Sequence, residues 1–322
     1  MKPLAENSIY AEARESEYNT YTATGQIAIP MNTFAPVTDP TLVERPSKVG
    51  SINELPSITT RKNNVISRQG DLYPGDEIGN LLWQMLGNAT TTGASADKTH
   101  VFNMVESKIG VNSLSAEVMD FGQNVDKCSG IMYNTLTIEG GNEGIVTHSA
   151  EGSYKTRVTD GAMGAKVFTT IKPYRYFNAT ITYNGSPLKV DSWSISLDMA
   201  LRLENFKQSE ETEKPVLDGI PQATVSLTFD AADKANRAIF EAGTANIPLV
   251  ITLTHSENIP TTSTKYSLKF QFPATQIESM TYDGDTGNKK ENLNLKAYAG
   301  EAASTATTKV EATLVNGTAA YA

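Results

Sequence analysis

The sequence has very little of the chemistry on which enzymes and metal sites depend. Its 322 residues include one cysteine, Cys128, and three histidines, His100, His148 and His255. A single cysteine excludes an intramolecular disulfide, and no histidine or cysteine stands at the spacing of a zinc site. The G-x-S-x-G motif of serine hydrolases is absent as well. The sequence therefore predicts no catalytic residues, no metal site and no cofactor.

Long apolar runs and an excess of basic residues are also missing. No apolar run approaches the ~20 residues of a membrane helix, and residues 1–15 lack the apolar stretch of a secretory signal. We therefore expect synthesis in a cytoplasm and no membrane insertion. The formal net charge is −9, whereas proteins that grip nucleic acid carry basic residues for its phosphates. Firm nucleic-acid binding is not expected, but DNA could pass an acidic surface without adhering.

Two fragments resemble ligand-binding loops without completing the pattern. Gly161–Lys166, GAMGAK, resembles a phosphate-binding loop but lacks its spacing. Asp283, Asp285 and Gly287 resemble the start of a calcium loop, but Asn294 stands where that loop needs glutamate. We interpret the first fragment as a flexible connection and the second as a hairpin turn.

Alternation of apolar and polar residues is what the sequence has in quantity. From Trp193 to Leu203, six apolar residues alternate with polar or small ones, which predicts a long strand with one buried face. Asn184–Gly185 predicts a type I′ turn. Further strands are predicted at Gln26–Phe34, Val101–Val105, Ser113–Met119, Met132–Glu139, Ile145–Tyr154, Ala179–Tyr183, Ala223–Phe229, Pro248–Thr254, Tyr266–Phe272, Gln276–Tyr282 and Asn292–Tyr298.

The other segments are helical or irregular. Asp76–Leu86 has the apolar spacing of a helix, and a shorter helix is predicted between Asp230 and Gly243. Residues 1–25 are polar with an acidic patch. Residues 35–74 are interrupted by prolines and have little periodicity, so we predict a long loop or extended arm, a kind of segment that often binds a partner. Residues 300–322 are rich in Ala and Thr, with one late strand at Lys309–Val315.

Seven segments follow one another in a recognisable order: GDEIGNLLWQMLG (75–87), YNTLTIEGGNEGIVTHSAEGSY (133–154), SWSISLDMALRLENF (192–206), PQATVSLTFD (221–230), IPLVITLTH (247–255), YSLKFQFPATQIE (266–278) and ENLNLKAYAG (291–300). Together with the N-terminal strand and the proline-rich segment, this ordered set resembles the tail tube proteins of long-tailed bacteriophages. The resemblance covers roughly residues 6–300 and has no counterpart for the C-terminal extension, residues 300–322.

The resemblance implies a fold and a structural, non-enzymatic role. The fold is mainly β, like a sandwich or barrel, with one or two short flanking helices, a long N-terminal loop and extended terminal arms, in a single domain over residues 1–322. Subunits of this family form six-membered rings by strand pairing, and the rings stack into a tube. The tube surrounds a tape-measure protein, meets tail-tip and tail-terminator proteins, and later conducts DNA. The protein would be made in the bacterial cytoplasm and function in the virion tail.

Carried onto this sequence, the resemblance predicts two kinds of contact residue. The long loop, residues 35–75, is expected to join one ring to the next, and the strand at residues 193–203 is expected to line the channel together with the hairpin at residues 132–154. The inter-ring candidates are Arg45, Lys48, Arg61, Lys62 and Arg68, and the lumen-facing candidates are Ser194, Ser196, Asp198, Arg202 and Glu204.

Two other functions stay open at this point. A phage-derived injection device uses a tube subunit of the same architecture. A carbohydrate- or receptor-binding β-sandwich is the alternative from another class, although the 13 tyrosines show no cluster at the spacing of a sugar platform.

Overall fold

The computed structural model describes residues 9–23, 26–45, 55–93, 96–119, 125–141, 144–159, 163, 166, 171–231, 235–283, 289–299 and 308–321. The strands are β1 (Ile9–Arg14), β2 (Ile27–Ile29), β3 (Thr33–Arg45), β4 (Leu55–Asp71), β5 (Thr90–Thr92), β6 (Lys98–Asn103), β7 (Leu114–Met119), β8 (Val125–Gly141), β9 (Thr147–Ser153), β10 (Thr156–Thr159), β11 (Ala179–Tyr183), β12 (Ser186–Leu188), β13 (Ser192–Asp198), β14 (Leu201–Arg202), β15 (Val216–Leu217), β16 (Gln222–Asp230), β17 (Ile247–Asn258), β18 (Lys265–Asp283), β19 (Lys290–Ala297) and β20 (Glu311–Asn316). The helices are α1 (Asp76–Leu86) and α2 (Ala235–Glu241), with single 3-10 turns at Glu106–Lys108 and Tyr176–Asn178. This architecture confirms the predicted mainly β fold with short flanking helices.

Antiparallel pairing joins most of these strands into three connected ladders. The main ladder runs β3–β4–β9–β8–β13–β16–β19–β18. A second ladder runs β12–β11–β17–β18–β20–β6–β5, and a third runs β2–β1–β7–β8–β10. Strands β8 and β18 each belong to two ladders, so they fix how the ladders are joined.

Alternation along the strands creates the core. In β13, Trp193, Ile195 and Leu197 are buried while the residues between them reach solvent. Such side chains join those of the other ladders and of α1 in one buried apolar cluster. Full burial of a large aliphatic side chain contributes about 1.5–3 kcal/mol relative to exposure, so this cluster is the main source of stability. Within the described ranges, no helix is long and apolar enough to cross a membrane.

The proline-rich segment at residues 35–74, predicted to be a long loop or extended arm, forms in its described part a long β-hairpin, which ends before α1 begins. Strand β3 pairs with β4 from Thr33 opposite Gln69 to Arg45 opposite Leu55. The prolines of β3 are tolerated because β3 pairs with one strand only among the described residues, and an edge strand needs no amide donor on its free side. Weak periodicity misled the prediction, since much of this hairpin has no apolar core against which to alternate.

The acidic N-terminal segment contains a strand, β1, that the sequence analysis missed. Two carboxylates of this acidic patch are buried: Glu12 is 0 % exposed and Glu15 is 5 % exposed. The Glu15 carboxylate accepts hydrogen bonds from Ser113 Oγ (2.5 Å), Ser115 Oγ (2.7 Å) and the Gly130 amide (2.8 Å). Such charge-assisted hydrogen bonds offset the cost of burying a carboxylate, and they anchor the N-terminal segment to the third ladder.

Several predicted elements are confirmed with altered bounds. Helix α1 has the predicted limits, and the turn at Asn184–Gly185 has positive φ at both residues, 49° and 76°. The strands predicted at Tyr266–Phe272 and Gln276–Tyr282 are one 19-residue strand, β18, with a bulge between Ile277 and Ser279. The late strand expected at Lys309–Val315 is β20, which lies between β18 and β6.

The C-terminal segment closes over α1 through Tyr321, which is fully buried. Its ring contacts His100 and Phe102 and lies so close to Gly79 that a Cβ there would stand 2.1 Å from the Tyr321 Cζ. Glycine at position 79 therefore serves close packing, at a cost in helix propensity of about 1 kcal/mol relative to alanine.

The first prediction concerns this contact. Gly79→Ala is expected to lower the free energy of unfolding by about 1–3 kcal/mol, because displacement of Tyr321 outweighs the gain in helix propensity. Urea denaturation followed by circular dichroism measures the change. Gly141→Ala is the matched control, since a Cβ at position 141 meets no atom within 4 Å. Equal or greater stability of Gly79→Ala would show that Tyr321 does not depend on this contact.

Candidate functional site

The main ladder presents one continuous polar face to solvent. Residues directly opposite each other in an antiparallel ladder share a face, so the register of the seven strands from β4 to β18 defines its membership. We call this surface the polar face. Its residues are Ser67, Gln69 and Asp71; Thr147, Ser149 and Glu151; Thr135, Thr137 and Glu139; Ser194, Ser196 and Asp198; Gln222, Thr224, Ser226 and Thr228; Asn292, Asn294 and Lys296; and Gln276, Ser279 and Thr281.

Hydroxyl and amide groups dominate the polar face, and its charge is mainly negative. Its acids are Asp71, Glu139, Glu151 and Asp198, and its basic residue is Lys296. The same register continues the face at its margin to Lys290, which lies opposite Asp230 and Asp283. The Lys296 Nζ lies 3.4 Å from Glu278 Oε1, in an ion pair with the residue at the β18 bulge. No aromatic or aliphatic side chain belongs to the polar face, so it offers neither stacking platforms nor a basic site for phosphates.

Side-chain hydrogen bonds tie neighbouring strands together across the polar face. Ser226 Oγ donates to Asn294 Oδ1 at 2.6 Å, and the Asn294 amide donates to Ser279 Oγ at 2.8 Å. Thr228 Oγ1 donates to Asn292 Oδ1 at 2.8 Å. Cross-strand pairs of this kind contribute roughly 0.2–1 kcal/mol each, and here they hold the polar groups in place on a firm sheet.

The predicted lumen-facing residues are divided by a break in the strand. Ser194, Ser196 and Asp198 lie at the centre of the polar face, in β13. Arg202 and Glu204 lie beyond the break, and Arg202 belongs to the separate pair β14–β15, where it stands 3.5 Å from Asp218. The single strand predicted to reach Leu203 is therefore wrong, although the alternation of burial continues to Leu201.

Hydrogen bonds from the backbone of residues 199–201 to Asp198 and Asn134 cause this break. Ala200 has a φ of 53°, and its amide donates to Asp198 Oδ1 at 2.8 Å. Asn134 holds the next residues, because its Oδ1 accepts from the Leu201 amide at 2.7 Å and its carbonyl accepts from the Met199 amide at 2.8 Å. An Asp side chain that bonds to the backbone two residues on competes with the strand. Hydrophobic alternation contains no signal for this competition.

The hairpin of β3 and β4 exposes apolar side chains toward its far end. Leu42 is 59 % exposed, Val43 is 50 % exposed and Ile58 is 51 % exposed. Nearer the base of the hairpin, Val37 (49 % exposed) lies opposite Val65 (36 % exposed). Five large aliphatic residues exposed on the described part of one hairpin are unusual for a surface that stays in water. The far end of this hairpin is therefore a candidate contact surface.

The inter-ring candidates occupy different parts of this hairpin. Arg61 and Lys62 lie against their own chain: the Arg61 guanidinium is 5.0 Å from the Phe206 ring centroid, and Lys62 Nζ is 3.3 Å from Glu210 Oε1. Arg45 ends β3. Lys48 lies outside the described residues.

Arg68 differs from the other basic candidates because it is buried within the subunit. Its NH1 atom donates to Glu12 Oε2 at 2.8 Å, and its NH2 atom lies 3.4 Å from Glu77 Oε1. His148 Nε2 lies 3.0 Å from the same NH2 atom. A side chain that is 1 % exposed and held in this way cannot touch another subunit without leaving the cluster. The inclusion of Arg68 among the contact residues is corrected accordingly.

The arrangement of charges in this buried cluster is close to neutral. Burial raises the pKa of Glu77 to about 8 despite the nearby Arg68 charge, so Glu77 is mostly protonated at neutral pH. Burial, followed by the charge of Arg68, lowers the pKa of His148, so the imidazole is neutral. The Glu12–Arg68 ion pair remains, and it joins β1 to the base of the hairpin. Loss of one partner of a buried pair typically costs about 3–5 kcal/mol.

Among the described residues, the histidines and the cysteine are held in contacts within the subunit. His100 bonds to Asn316 and Thr91, and His255 Nδ1 accepts the Glu257 amide. Across the residues described, no group of three His, Cys, Asp or Glu side chains could hold a metal ion. Burial raises the pKa of Cys128 to about 12, which makes it a poor nucleophile. The calcium-loop and phosphate-loop fragments lie mostly outside the described residues.

Comparison with known families identifies the class of protein. A model of the phage tail tube protein family matches residues 6–314, nearly the whole chain. The chain therefore belongs to the phage tail tube protein family and is a structural component of a virion tail. No curated protein in the comparison matches the chain. The match ends at residue 314, within β20, and thus extends the resemblance past residue 300 into the segment for which the sequence analysis found no counterpart.

Most of the polar face was missed at the level of sequence, although part of its signal was visible. The Ser and Thr residues of QATVSLTFD and YNTLTIE alternate as clearly as those of β13. Their common face follows only from the register that places β8 and β16 on either side of β13. Glu12 and Glu77 gave no signal, because a buried acid and a surface acid look alike in a polar segment.

The second prediction follows from the raised pKa of Glu77. An acid whose pKa is about 4.5 when unfolded and about 8 when folded contributes stability at low pH that is lost as pH rises from 4.5 through 8. Glu77→Gln removes this ionisation, so the variant should gain on the order of a few kcal/mol relative to wild type between pH 5 and pH 9. Urea midpoints at pH 5, 7 and 9 measure the difference.

The control for this experiment is Glu151→Gln, an exposed acid of the polar face. Its difference from wild type should be small at each of these pH values, because substitution of an exposed side chain changes the free energy of unfolding little. A Glu77→Gln difference that also stays constant with pH would contradict the assignment of a protonated Glu77.

Proposed function

We propose that the protein is the tail tube subunit whose copies close into six-membered rings and stack into a DNA-conducting tube, with the polar face lining the channel. The observation that carries this proposal is the polar face itself: a firm, mildly acidic surface of hydroxyls and amides across seven strands. Such a surface is wetted by water and repels phosphates at short range, within a Debye length of about 8–10 Å. DNA can then slide along it without being held.

The edges of the main ladder support ring closure. At one end, β3 pairs with β4 alone over Thr33–Val37. At the other end, residues 276–281 of β18 pair with β19 alone within the described part of the chain. Exposed edges invite pairing with another chain, and two different edges on one subunit give a head-to-tail contact that closes into a ring. Pairing of these edges would continue the polar face from one subunit to the next.

The hairpin supports stacking between rings. Its far end carries the exposed aliphatic residues described above, and a neighbouring copy would cover them. The described contacts of Arg61 and Lys62 hold the hairpin to its own subunit, so in this proposal they help to orient the hairpin, while Arg45 lies at the far end of β3. A tape-measure protein inside the tube and terminator and tip proteins at its ends complete the proposed set of partners.

The third prediction tests the hairpin. Replacement of residues 42–60 by Asn-Gly joins Thr41 to Arg61 with a two-residue hairpin turn and leaves Arg68 in its cluster. We expect this variant to fold and to form isolated rings or monomers, whereas wild type forms hollow tubes of uniform width in negative-stain electron microscopy.

A point variant tests the exposed aliphatic side chains of the hairpin without shortening the hairpin. Ile58→Asp should shorten or abolish tubes while the subunit keeps its urea midpoint, and Val111→Asp, at a residue 54 % exposed outside the hairpin, is the control. Normal tubes from the truncated subunit would contradict the assignment of stacking to the hairpin.

The fourth prediction tests the position of the polar face. Because Cys128 is buried and its thiol has a raised pKa, a cysteine introduced at Ser196 is the single reactive thiol. A maleimide coupled to a folded protein should label Ser196→Cys in the monomer but not in assembled tubes, while a small maleimide labels both. Mass spectrometry counts the adducts.

Ser186→Cys is the matched control, since Ser186 is exposed on β12, away from the polar face. The maleimide coupled to a folded protein, which is the bulky reagent, should still label Ser186→Cys in assembled tubes. If Ser196→Cys in tubes reacts with the bulky reagent as fast as Ser186→Cys, the polar face lies outside the tube and the proposal fails.

A further inference from the structure

A buried polar cluster away from the polar face brings an amine, a primary amide, a carboxylate and a phenol together. Lys166 Nζ donates to Gln26 Oε1 at 2.5 Å and lies 2.9 Å from Glu117 Oε2. The side chains of Lys166 and Glu117 are 6 % and 5 % exposed, and Gln26 is 8 % exposed. Neither the tube function nor the hydrophobic core requires this combination of groups.

Tyr21 completes the cluster, because its hydroxyl links Glu117 and Gln26, the two residues that contact the Lys166 amine. Its hydroxyl donates to Glu117 Oε1 and accepts a hydrogen bond from Gln26 Nε2 at 3.2 Å. Burial, followed by the hydrogen bond to Glu117, holds the pKa of Tyr21 above its ordinary range, so the phenol keeps its proton. Gln26 Nε2 also donates to the Thr22 carbonyl at 2.8 Å, and these two hydrogen bonds fix the orientation of the amide.

The amine and the amide carbon are within reach of reaction. A carbonyl bond is about 1.2 Å long, so the Cδ of Gln26 lies less than about 3.8 Å from Lys166 Nζ, close to the roughly 3–3.5 Å of a near-attack geometry. The ammonium must lose a proton before Nζ can act as a nucleophile, and Glu117 Oε2 lies 2.9 Å from Nζ. Glu117 is placed to accept that proton.

We propose that Lys166 and Gln26 become joined by an intramolecular isopeptide bond, formed by the protein itself, with Glu117 as the base and Tyr21 as the proton relay. Glu117 Oε2 takes a proton from the Lys166 ammonium, and the neutral amine attacks Cδ of Gln26. The new N–C bond gives a tetrahedral centre. The C–Nε2 bond then breaks, as the Tyr21 hydroxyl delivers a proton to Nε2 and regains one from Glu117. The former Lys166 nitrogen passes its remaining surplus proton to the Glu117 carboxylate, which releases it to solvent. Ammonia leaves, and no oxidant, metal or cofactor is consumed.

The bond would lock a distant part of the chain onto the third ladder. Lys166 and Gln26 are 140 positions apart, and Gln26 directly precedes β2, which pairs with β1. Closure of so long a loop restricts the unfolded chain, as a disulfide does. This subunit has one cysteine and cannot use a disulfide, so an amide cross-link is a chemically available alternative for a structural protein.

The fifth prediction is a change in mass. The intact wild-type subunit, incubated folded at pH 8, should be lighter than its sequence by one ammonia in electrospray mass spectrometry. Trypsin should release a branched peptide that joins residues 15–48 to residues 158–175, because trypsin cleaves poorly before Pro46 and Pro173. Simple deamidation of a glutamine makes the protein heavier by about one dalton and is therefore distinguished.

Three variants test the roles of the groups. Lys166→Arg removes the nucleophile and should have the full sequence mass. Glu117→Gln keeps the size of the side chain but removes the base, and Tyr21→Phe removes the relay. Glu117→Gln should not cross-link, and Tyr21→Phe should cross-link far more slowly than wild type. Lys189→Arg, outside the cluster, should lose ammonia as wild type does.

The wild-type measurement alone can overturn the proposal, whatever the variants do. If the folded wild-type subunit and assembled tubes both keep the full sequence mass after prolonged incubation, the cluster is only a buried ion pair with a hydrogen bond. Loss of ammonia that persists in Lys166→Arg would likewise refute it, because the cross-link would then use another amine.

Discussion

The fold depends on the hydrogen bonding of strand β8 along its whole length. Its first half pairs with β7 and β10, and its second half pairs with β9 and β13. Since successive side chains of a strand point to opposite faces, the register of this one strand decides which residues of four neighbours face the core. A slip by one residue would turn Leu136 and Ile138 toward solvent and place the polar face inside the protein.

The same constraint explains how one sheet serves two purposes. Its inner side contributes Trp193, Ile195 and their neighbours to the buried cluster, which stabilises the subunit. Its outer side, over the residues of the polar face, carries hydroxyl, amide and charged groups, and in the proposed tube this side lines the channel. A surface with many hydroxyls, few charges and cross-strand hydrogen bonds is wetted and rigid at once, and these are the properties that passage of a polyanion requires.

The buried Arg68 cluster connects the hairpin to the rest of the subunit. Arg68 lies at the base of the hairpin, opposite Phe34 of β3 and Ala150 of β9. Its side-chain partners come from β1, α1 and β9. A buried ion pair adds little net stability compared with apolar packing, but its fixed geometry specifies the position of the segments that carry it. The direction in which the hairpin projects is therefore determined partly inside the subunit, together with the contacts of Arg61 and Lys62 at its surface.

Sequence alone determined the fold class, most strand positions, helix α1 and the family, because alternation and helical spacing report directly which side chains are buried. The tertiary structure decided what such patterns cannot express. The strand through Trp193 ends at Asp198 because an Asp side chain and Asn134, distant in sequence, capture the backbone of the following residues. The proline-rich segment forms a hairpin because β3 and β4 supply each other's backbone hydrogen bonds. The weak apolar periodicity of the segment does not reveal this pairing. Glu12 and Arg68 are 56 positions apart, and Gln26 and Lys166 are 140 apart. Both pairs form only when the chain has folded, because a charged group is buried favourably only beside a partner that the tertiary structure brings next to it.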